Sequence, residues 1–479
     1  MSDPVKVSDS QVSDVSKSSH KGRDKFNQAF LQKESLTKAE ANKEVLKLAT
    51  PALAEQIMMA LIGMADMIMV SRIGPAAIAA VGLTNQPMMF AMAIFMALNV
   101  GTTAVVARHV GANESDAANE TARQSLILVG ILGLIMGVIM FFAAEQILLF
   151  MGAEADTMFY AVKYFKIVAV SMVFNTIQMS VNSMVRGAGD TKSPMYNNMT
   201  VNIINLVGNF LLINGILFFP KMGVTGAAVA TAFSRFVGSM MALSLVLIPG
   251  KRITVNLRER FHFNWEIAAR VAKIGFPAAI EQFIMRGGMV IFTRTISGLG
   301  TVTYAAHQVA LNITSLSFTT GQGFAMSATS LVGRSLGAKK PDMAEMLANA
   351  AHKLAMMVSG CVAIILFFFG KQVAFLYSND IAVLTQAAIA LRIIALVQPS
   401  QSTQFVLAGA LRGAGDTKWP LYSTLVGVWG FRVVLSYIFV RVLGYGLVGA
   451  WVAMAVDQFA RSSIILYRFR SNKWKHVRV

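Results

Sequence analysis

Four carboxylates stand inside long apolar stretches of this chain: Glu55, Asp66, Glu281 and Asp457. Insertion scales put a charge at the centre of a membrane-spanning helix at about 2.5–3.5 kcal/mol, so such a group is expected to face a cavity or a partner. Burial favours the protonated form and a bound cation favours the ionised one. One carboxylate can therefore hold a proton or a monovalent cation in turn. Asp66, in "GMADMIMV", is the sharpest candidate for that chemistry. Asn202, Asn205 and Asn209 recur at three to four residues and so share a helix face, as do Asn175, Gln178 and Asn182. Their carboxamides can coordinate a cation or bond a carboxylate. Other chemistry lacks its residues. Cys361 is the single cysteine, Cys/His metal spacing is missing, and there is neither a phosphate loop nor a nucleophile–base set. No cofactor is expected, and neither enzyme nor ATP-driven pump has support.

The elements that must position these residues are membrane helices. Of 479 residues, 55% are hydrophobic and 14% charged, against about 25% charged in a soluble domain. Twelve apolar segments are expected, near 46–70, 80–106, 122–143, 160–184, 194–218, 223–249, 272–297, 303–332, 349–369, 382–410, 420–443 and 446–468, each long enough to cross about 30 Å of hydrocarbon. Residues 1–45 read as a polar, mostly disordered cytosolic tail with room for a short amphipathic helix before Lys47, 46–250 as a first bundle, 251–271 as a cytoplasmic linker, 272–469 as a second bundle and 470–479 as a cytosolic tail. The net charge of +18 is read as loop topology, not nucleic-acid binding. Lys and Arg crowd alternate connections: the N-terminal tail, Arg108, "RGAGDTKSP" at Arg186, "KRITVNLRER", "GRSLGAKK", "RGAGDTKWP" at Arg412 and the C-terminal tail. The other connections hold few, such as Arg72, Lys163, Lys221, Lys371 and Arg441. The rich set is expected inside, which puts both termini in the cytoplasm.

The chain also repeats itself. The two RGAGDTK tags lie 412 − 186 = 226 residues apart, and at that offset Pro51 maps to Pro277, Glu55 and Gln56 to Glu281 and Gln282, Arg108 to Arg334, Asp116 to Asp342 and Gln178 to Gln404. "GVTGAAVA" and "GLVGAWVA" match at 223. A constant offset over so much of the chain means two homologous halves of six spans, inserted the same way up and related by an axis along the membrane normal. Each tag falls between the fourth and fifth spans of its half. Gly-x-Gly permits a tight turn, Asp caps the next helix, and Pro is tolerated in its first turn. The tag is read first as turn and topology, second as a part of gating.

Twelve spans in two sixes, RGAGDTK in both halves and "P…EQ…GMADMIMVSRIG" in the first span resemble the multidrug and toxic compound extrusion (MATE) family, over nearly all of the chain beyond residue 45. The likeness is to bacterial members, nearer the DinF-like than the NorM-like branch. It implies an all-α membrane protein built as a V-shaped pair of six-helix bundles in the bacterial inner membrane. It also implies export of organic, often cationic, compounds driven by Na+ or H+, with the bilayer and small organic substrates as partners and a monomer as the unit. In the family an acid at the place of Asp66 binds the coupling ion or proton. The counterpart of Asp66 in the second half is Phe292, so fold symmetry does not require an acid there. Asn182, Asn205, Asn209 and Glu281 are further candidates for coupling. Gln56, Asn175, Gln178, Gln282, Arg286, Gln401 and Gln404 are candidates for the substrate cavity. Archaeal relatives resemble this chain but carry a second aspartate where Asn209 stands. The family's C-terminal glutamate and tenth-helix aspartate are matched by Met285 and Gln401. Arg286, Arg294, Arg432 and Asp457 are expected to line the second bundle, with Arg432–Asp457 the first pairing to look for. Thirty methionines and 31 phenylalanines supply adaptable apolar walls. Two other readings are kept: a dedicated exporter of one natural product, and a lipid-linked precursor flippase.

Overall fold

A computed structural model describes residues 33, 35–71, 75–153, 155–216, 219–248, 253–256, 263–377 and 380–477. Most of the N-terminal tail and most of "KRITVNLRER" lie outside the described residues. The rest forms twelve helical rods, with no strand among the described residues. They are α1 (Lys38–Ser71), α2 (Pro75–Gly111), α3 (Ser115–Phe142, followed by the short helix Ala144–Phe150), and α4, made of Ala155–Val170 and Met172–Gly187. The two parts of α4 are bent by 45°. Then come α5 (Lys192–Asn214), α6 (Gly223–Leu247), α7 (Trp265–Ser297), α8 (Thr301–Gly337), α9 (Pro341–Phe375), α10 (Ile381–Gly413), α11 (Lys418–Val442) and α12 (Gly446–Arg470). Within α11, Leu425–Val433 and Ile438–Val442 are wound as π-helix.

The first helix begins at Lys38, inside the stretch expected to be tail. The cause is a capping box: Glu40 N donates to Thr37 Oγ1 at 3.3 Å, and Thr37 N donates back to Glu40 Oε2 at 2.9 Å. Seven rods among the described residues are apolar and long enough to span by themselves, and the bent α4 makes an eighth. The other four, α5, α7, α8 and α12, are long but interrupted by polar residues, including Asn205 and Asn209, Glu281 and Arg286, His307, and Asp457. Helices that line a polar interior fail a test of bulk apolarity for that reason. The outward faces of α3 and α9 expose Leu134, Ile135, Ile139 and Phe142, and Ile364, Ile365, Phe368 and Phe369. Only a bilayer solvates such faces at low cost, so the protein is a multi-pass membrane protein.

α1–α6 form one bundle and α7–α12 the other. Three contacts join them: α1 lies on α8 and α9, α7 lies on α2, and α2 lies on α8. The joint is tightest at the end where α1 begins and α12 ends, called here the termini end. There α2 and α8 cross so closely that a Cβ on Gly111 would sit 2.0 Å from Arg334 O, and one on Gly337 would sit 2.0 Å from Arg108 O. Leu36, Ala41, Val45, Leu48 and Ala49 are buried against Phe324, Ala328, Leu331 and Leu347 of the second bundle.

The tags form the turns expected of them, and more. Gly189 (φ 86°) and Gly415 (φ 85°) occupy the left-handed region, where glycine is at home. The first glycine of each tag serves packing instead. A Cβ on Gly187 would lie 2.8 Å from Thr103 O, and one on Gly413 would lie 2.3 Å from Thr329 O. Asp190 Oδ1 accepts from Lys192 N at 3.0 Å and Ser193 N at 3.1 Å, capping α5. Asp416 differs: its Oδ2 accepts from Arg468 Nε at 2.7 Å.

Candidate functional site

The arginine of each tag closes an ion pair inside its own bundle. Arg186 Nη2 donates to Glu55 Oε1 at 2.5 Å, and Asn198 Nδ2 donates to the same oxygen at 2.6 Å. Arg412 Nη2 donates to Glu281 Oε1 and Oε2 at 2.7 and 2.8 Å, and Thr424 Oγ1 donates to Oε1 at 3.2 Å. Arg186 and Arg412, like Asn198 and Thr424, are equivalent across the 226-residue repeat. The same carboxylate is thus held the same way twice. Gln178 and Asn182 extend the first cluster, donating to Asn198 Oδ1 at 2.8 and 3.1 Å. Asn182 therefore stands with Glu55 and not beside Asp66.

Asp66 is placed differently. Its Oδ1 accepts from Asn209 Nδ2 at 2.9 Å, and no basic side chain lies within ion-pair distance of it among the described residues. Asn209 Nδ2 is shared with Asn205 Oδ1 at 3.2 Å, and Asn205 Nδ2 donates to Thr231 Oγ1 at 3.1 Å. Tyr164 lies close to Thr231, Asp66 and Arg235. Arg235 Nη1 donates to Ser171 Oγ at 3.0 Å. Asp66 on α1, Asn205 and Asn209 on α5, Thr231 and Arg235 on α6 and Tyr164 on α4 thus make one polar network inside an apolar bundle. Sequence reasoning picked Asp66, Asn205 and Asn209 and missed Tyr164, Thr231 and Arg235. An arginine within the apolar run of α6 was the available signal for the last. Asn209 Oδ1 is buried and accepts no hydrogen bond. An unused carboxamide oxygen beside a carboxylate is a donor set that suits a monovalent cation.

Among the described residues the second bundle has no such arrangement. Phe292 fills the place equivalent to Asp66. It is fully buried, with the Arg432 guanidinium 5.7 Å from its ring centre and His307 edge-on at 5.7 Å. Arg432 Nη2 donates to Asp457 Oδ2 at 2.5 Å, the pairing expected from sequence, and Arg461 Nε lies 3.0 Å from Asp457 Oδ1. Asp457 is clamped between two cations. Gly427, in the π-wound stretch, leaves the room: a Cβ there would meet Arg461 Cγ and Asp457 Oδ1 at 2.3 Å.

The expected cavity residues are dispersed. Gln56 of α1 reaches Met326 Sδ of α8 at 3.7 Å, and Arg286 of α7 reaches Met89 Sδ of α2 at 3.8 Å, so both stand on the seam between the bundles. Asn175 Nδ2 faces Met92 Sδ at 3.3 Å. Gln282 is half-buried on α7. Gln401 and Gln404 are buried in α10 with their Oε1 atoms unpartnered.

The MatE family profile matches residues 51–211 and 277–438, once in each bundle. A probable multidrug resistance protein NorM of Thermotoga maritima is 31% identical over 447 residues, covering 93% of this chain and 95% of that one. The multidrug resistance protein PmpM of Pseudomonas aeruginosa is 28% identical over 399 residues, covering 82% and 83%. Among solved structures, an outward-facing multidrug resistance MATE family transporter of the MOP superfamily matches with a TM-score of 0.84 at 26% identity, over 90% of this chain and 97% of the other. A MOP superfamily transporter from Pyrococcus furiosus, described as having a binding pocket of reversed polarity that suggests a different function, matches with a TM-score of 0.83 at 27% identity, over 90% and 95%. With the profile found in both bundles and the fold shared from end to end, this chain belongs to the MatE family of membrane transporters.

Proposed function

We propose that the protein is a secondary active antiporter of the bacterial inner membrane, which exports organic, often cationic, compounds in exchange for Na+ or H+. One observation carries the reading. Among the described residues, Asp66 is the carboxylate deep in a span that no basic side chain neutralises, whereas Glu55, Glu281 and Asp457 are each paired. Neutralising a paired carboxylate leaves a guanidinium uncompensated, while neutralising Asp66 leaves only carboxamides, which serve either state. Asp66 therefore takes up a proton or a monovalent cation, with Asn209 Oδ1 as second donor, and gives it up when a cationic compound or water enters. Glu281 keeps the structural part its likeness to Glu55 implies. The names of the relatives support multidrug export, and the Lys/Arg pattern supports a cytoplasmic termini end. On that orientation the tight crossing of α2 and α8 seals the cytoplasmic side. Each charge moved through 100 mV is worth about 2.3 kcal/mol, which at about 1.4 kcal/mol per tenfold sustains a gradient of roughly forty-fold.

The test is efflux in inverted vesicles with sodium and proton gradients imposed in turn. Asp66→Asn should reach the membrane in normal amounts and lose gradient-driven export. Asp66→Glu should keep part of it. Undiminished export by Asp66→Asn under both gradients would place the coupling site elsewhere.

A further inference from the structure

The second bundle carries a cation with no partner of its own. Arg412, Arg432 and Arg461, on α10, α11 and α12, meet carboxylates. Arg286 does not. Among the described residues no carboxylate lies within 4 Å of it, its Nε is buried without a hydrogen-bond partner, and its Nη1, at an exposed position, donates to the thioether of Met89 at 3.8 Å. A guanidinium offers five donors in a planar fork, and a sulfur atom satisfies almost none of that capacity.

Helix geometry fixes where it points. The face of α7 carrying Gly287 and Gly288 is pressed on α11. A Cβ on Gly288 would lie 2.1 Å from Val428 Cγ1, and Trp429 Nε1 donates to Ile284 O at 3.0 Å. Phe283 and Arg286, three residues apart, share another face. That face meets α2 of the first bundle, where Phe283 stacks on Phe90 at 6.3 Å and Arg286 meets Met89. Gln282, one turn before Arg286, is half-buried on the same helix. Arg286 thus stands on the seam the two bundles share, walled by methionine and phenylalanine. Its repeat counterpart is Ala60 (286 − 226 = 60), so the fold does not need a cation there.

We propose that Arg286 recognises an anionic group, a carboxylate, carried by the exported compound, so that the protein handles zwitterions as well as cations. The proposal rests on the export reading above. The two bundles then offer opposite poles. The first presents the Asp66 carboxylate to positive charge, and the second presents the Arg286 fork to negative charge across an adaptable apolar wall. A compound bearing only a cation makes no use of Arg286.

The experiment uses two dyes that differ by one methyl group. Rhodamine 123 is a methyl ester and a cation; rhodamine 110 is its free acid and a zwitterion. Binding to the purified full chain is followed by fluorescence polarisation in lipid-free detergent, so that no phospholipid headgroup competes. The parent should bind both. Arg286→Gln should weaken the acid at least tenfold and leave the ester within twofold. Arg286→Lys, which keeps the charge but not the fork, should fall between. Equal loss of both dyes, or unchanged binding of the acid, overturns the proposal, as does a parent that binds only the ester. A parent that binds neither dye overturns the multidrug reading instead. Gel-filtration profiles matching the parent establish that both variants are folded.

Discussion

The two bundles descend from one repeat, and they keep their scaffold in common while differing in their interiors. Glu55 with Arg186 and Asn198 is reproduced by Glu281 with Arg412 and Thr424, residue for residue. Eleven residues on, about three turns along α1 and α7, the likeness ends. The first bundle places Asp66 among carboxamides, and the second places Phe292 beside an arginine-clamped aspartate. What both halves retain is what the fold requires. What only one retains is where function is to be sought, since symmetry gives it no other reason to exist.

Neutralising one carboxylate in each bundle should break or secure this contrast, and it carries the largest effect. Asp66→Asn should abolish ion-driven export while leaving thermal stability near that of the parent. Asp457→Ala should do the reverse. It leaves Arg432 and Arg461 buried against each other, and breaking a buried pair costs about 3–5 kcal/mol. Yield and melting temperature in detergent should fall sharply. Loss of stability in Asp66→Asn with none in Asp457→Ala would invert the assignment.

The next effect tests the shared scaffold. Gly187→Val and Gly413→Val push side chains onto the carbonyl oxygens of Thr103 and Thr329. Such overpacking costs about 1–3 kcal/mol. Gly413→Val should be the worse, because its approach is the closer, 2.3 against 2.8 Å. Equal melting temperatures for both variants and the parent would show that the tag glycines serve the turn alone.

Much of this was legible in the sequence, because a repeat writes its constraints twice. The halves, the twelve rods and the tag turns follow from spacing. The Glu–Arg pairs could also have been read: Glu55 to Arg186 and Glu281 to Arg412 both span 131 residues, and a spacing kept between opposite charges suggests contact. The start of α1 was legible in part: composition leaves room for a short helix before Lys47, and the Thr-x-x-Glu box at Thr37 is the local signal that fixes its first residue. Tyr164 and Arg235 were not legible as partners of Asp66. Their meeting depends on how α1, α4 and α6 pack, which no periodicity states. Nor was it legible that Asn182 would meet Asn198 and so the Glu55 cluster: sharing a helix face with Asn175 and Gln178 did not tell which carboxylate that face would meet. The π-wound part of α11 left no trace in the sequence.

The smallest effect sharpens the comparison at the termini end. Both bundles tuck the chain that follows their sixth helix back against themselves. After α6, Ile253 and Val255 are buried and Val255 N donates to Val246 O at 2.7 Å. After α12, a turn over Lys473–His476 buries Trp474 against Phe469, with rings 5.1 Å apart. Here the second bundle adds charge. Lys475 Nζ lies 2.5 Å from Glu345 and 3.2 Å from Asp342, and Arg108 of the first bundle donates to Val477 O at 2.9 Å. Partial burial pulls the Lys475 pKa down, but its bonds and charge contacts with Glu345 and Asp342 outweigh that, and the net shift is upward from 10.5. A lysine raised on folding contributes stability that is complete below its unfolded value and is lost as pH rises through the folded one. Lys475→Ala should therefore lower stability by a constant amount between pH 7 and pH 9, in reach of solvent only about 0.2–1 kcal/mol. The difference from the parent should fade above about pH 10.5. Trp474→Ala should cost more, about 3–5 kcal/mol, at every pH in that range. Melting curves of both variants across pH check the sign. A Lys475→Ala deficit that grows with rising pH would mean that the charge pairs do not hold the tail.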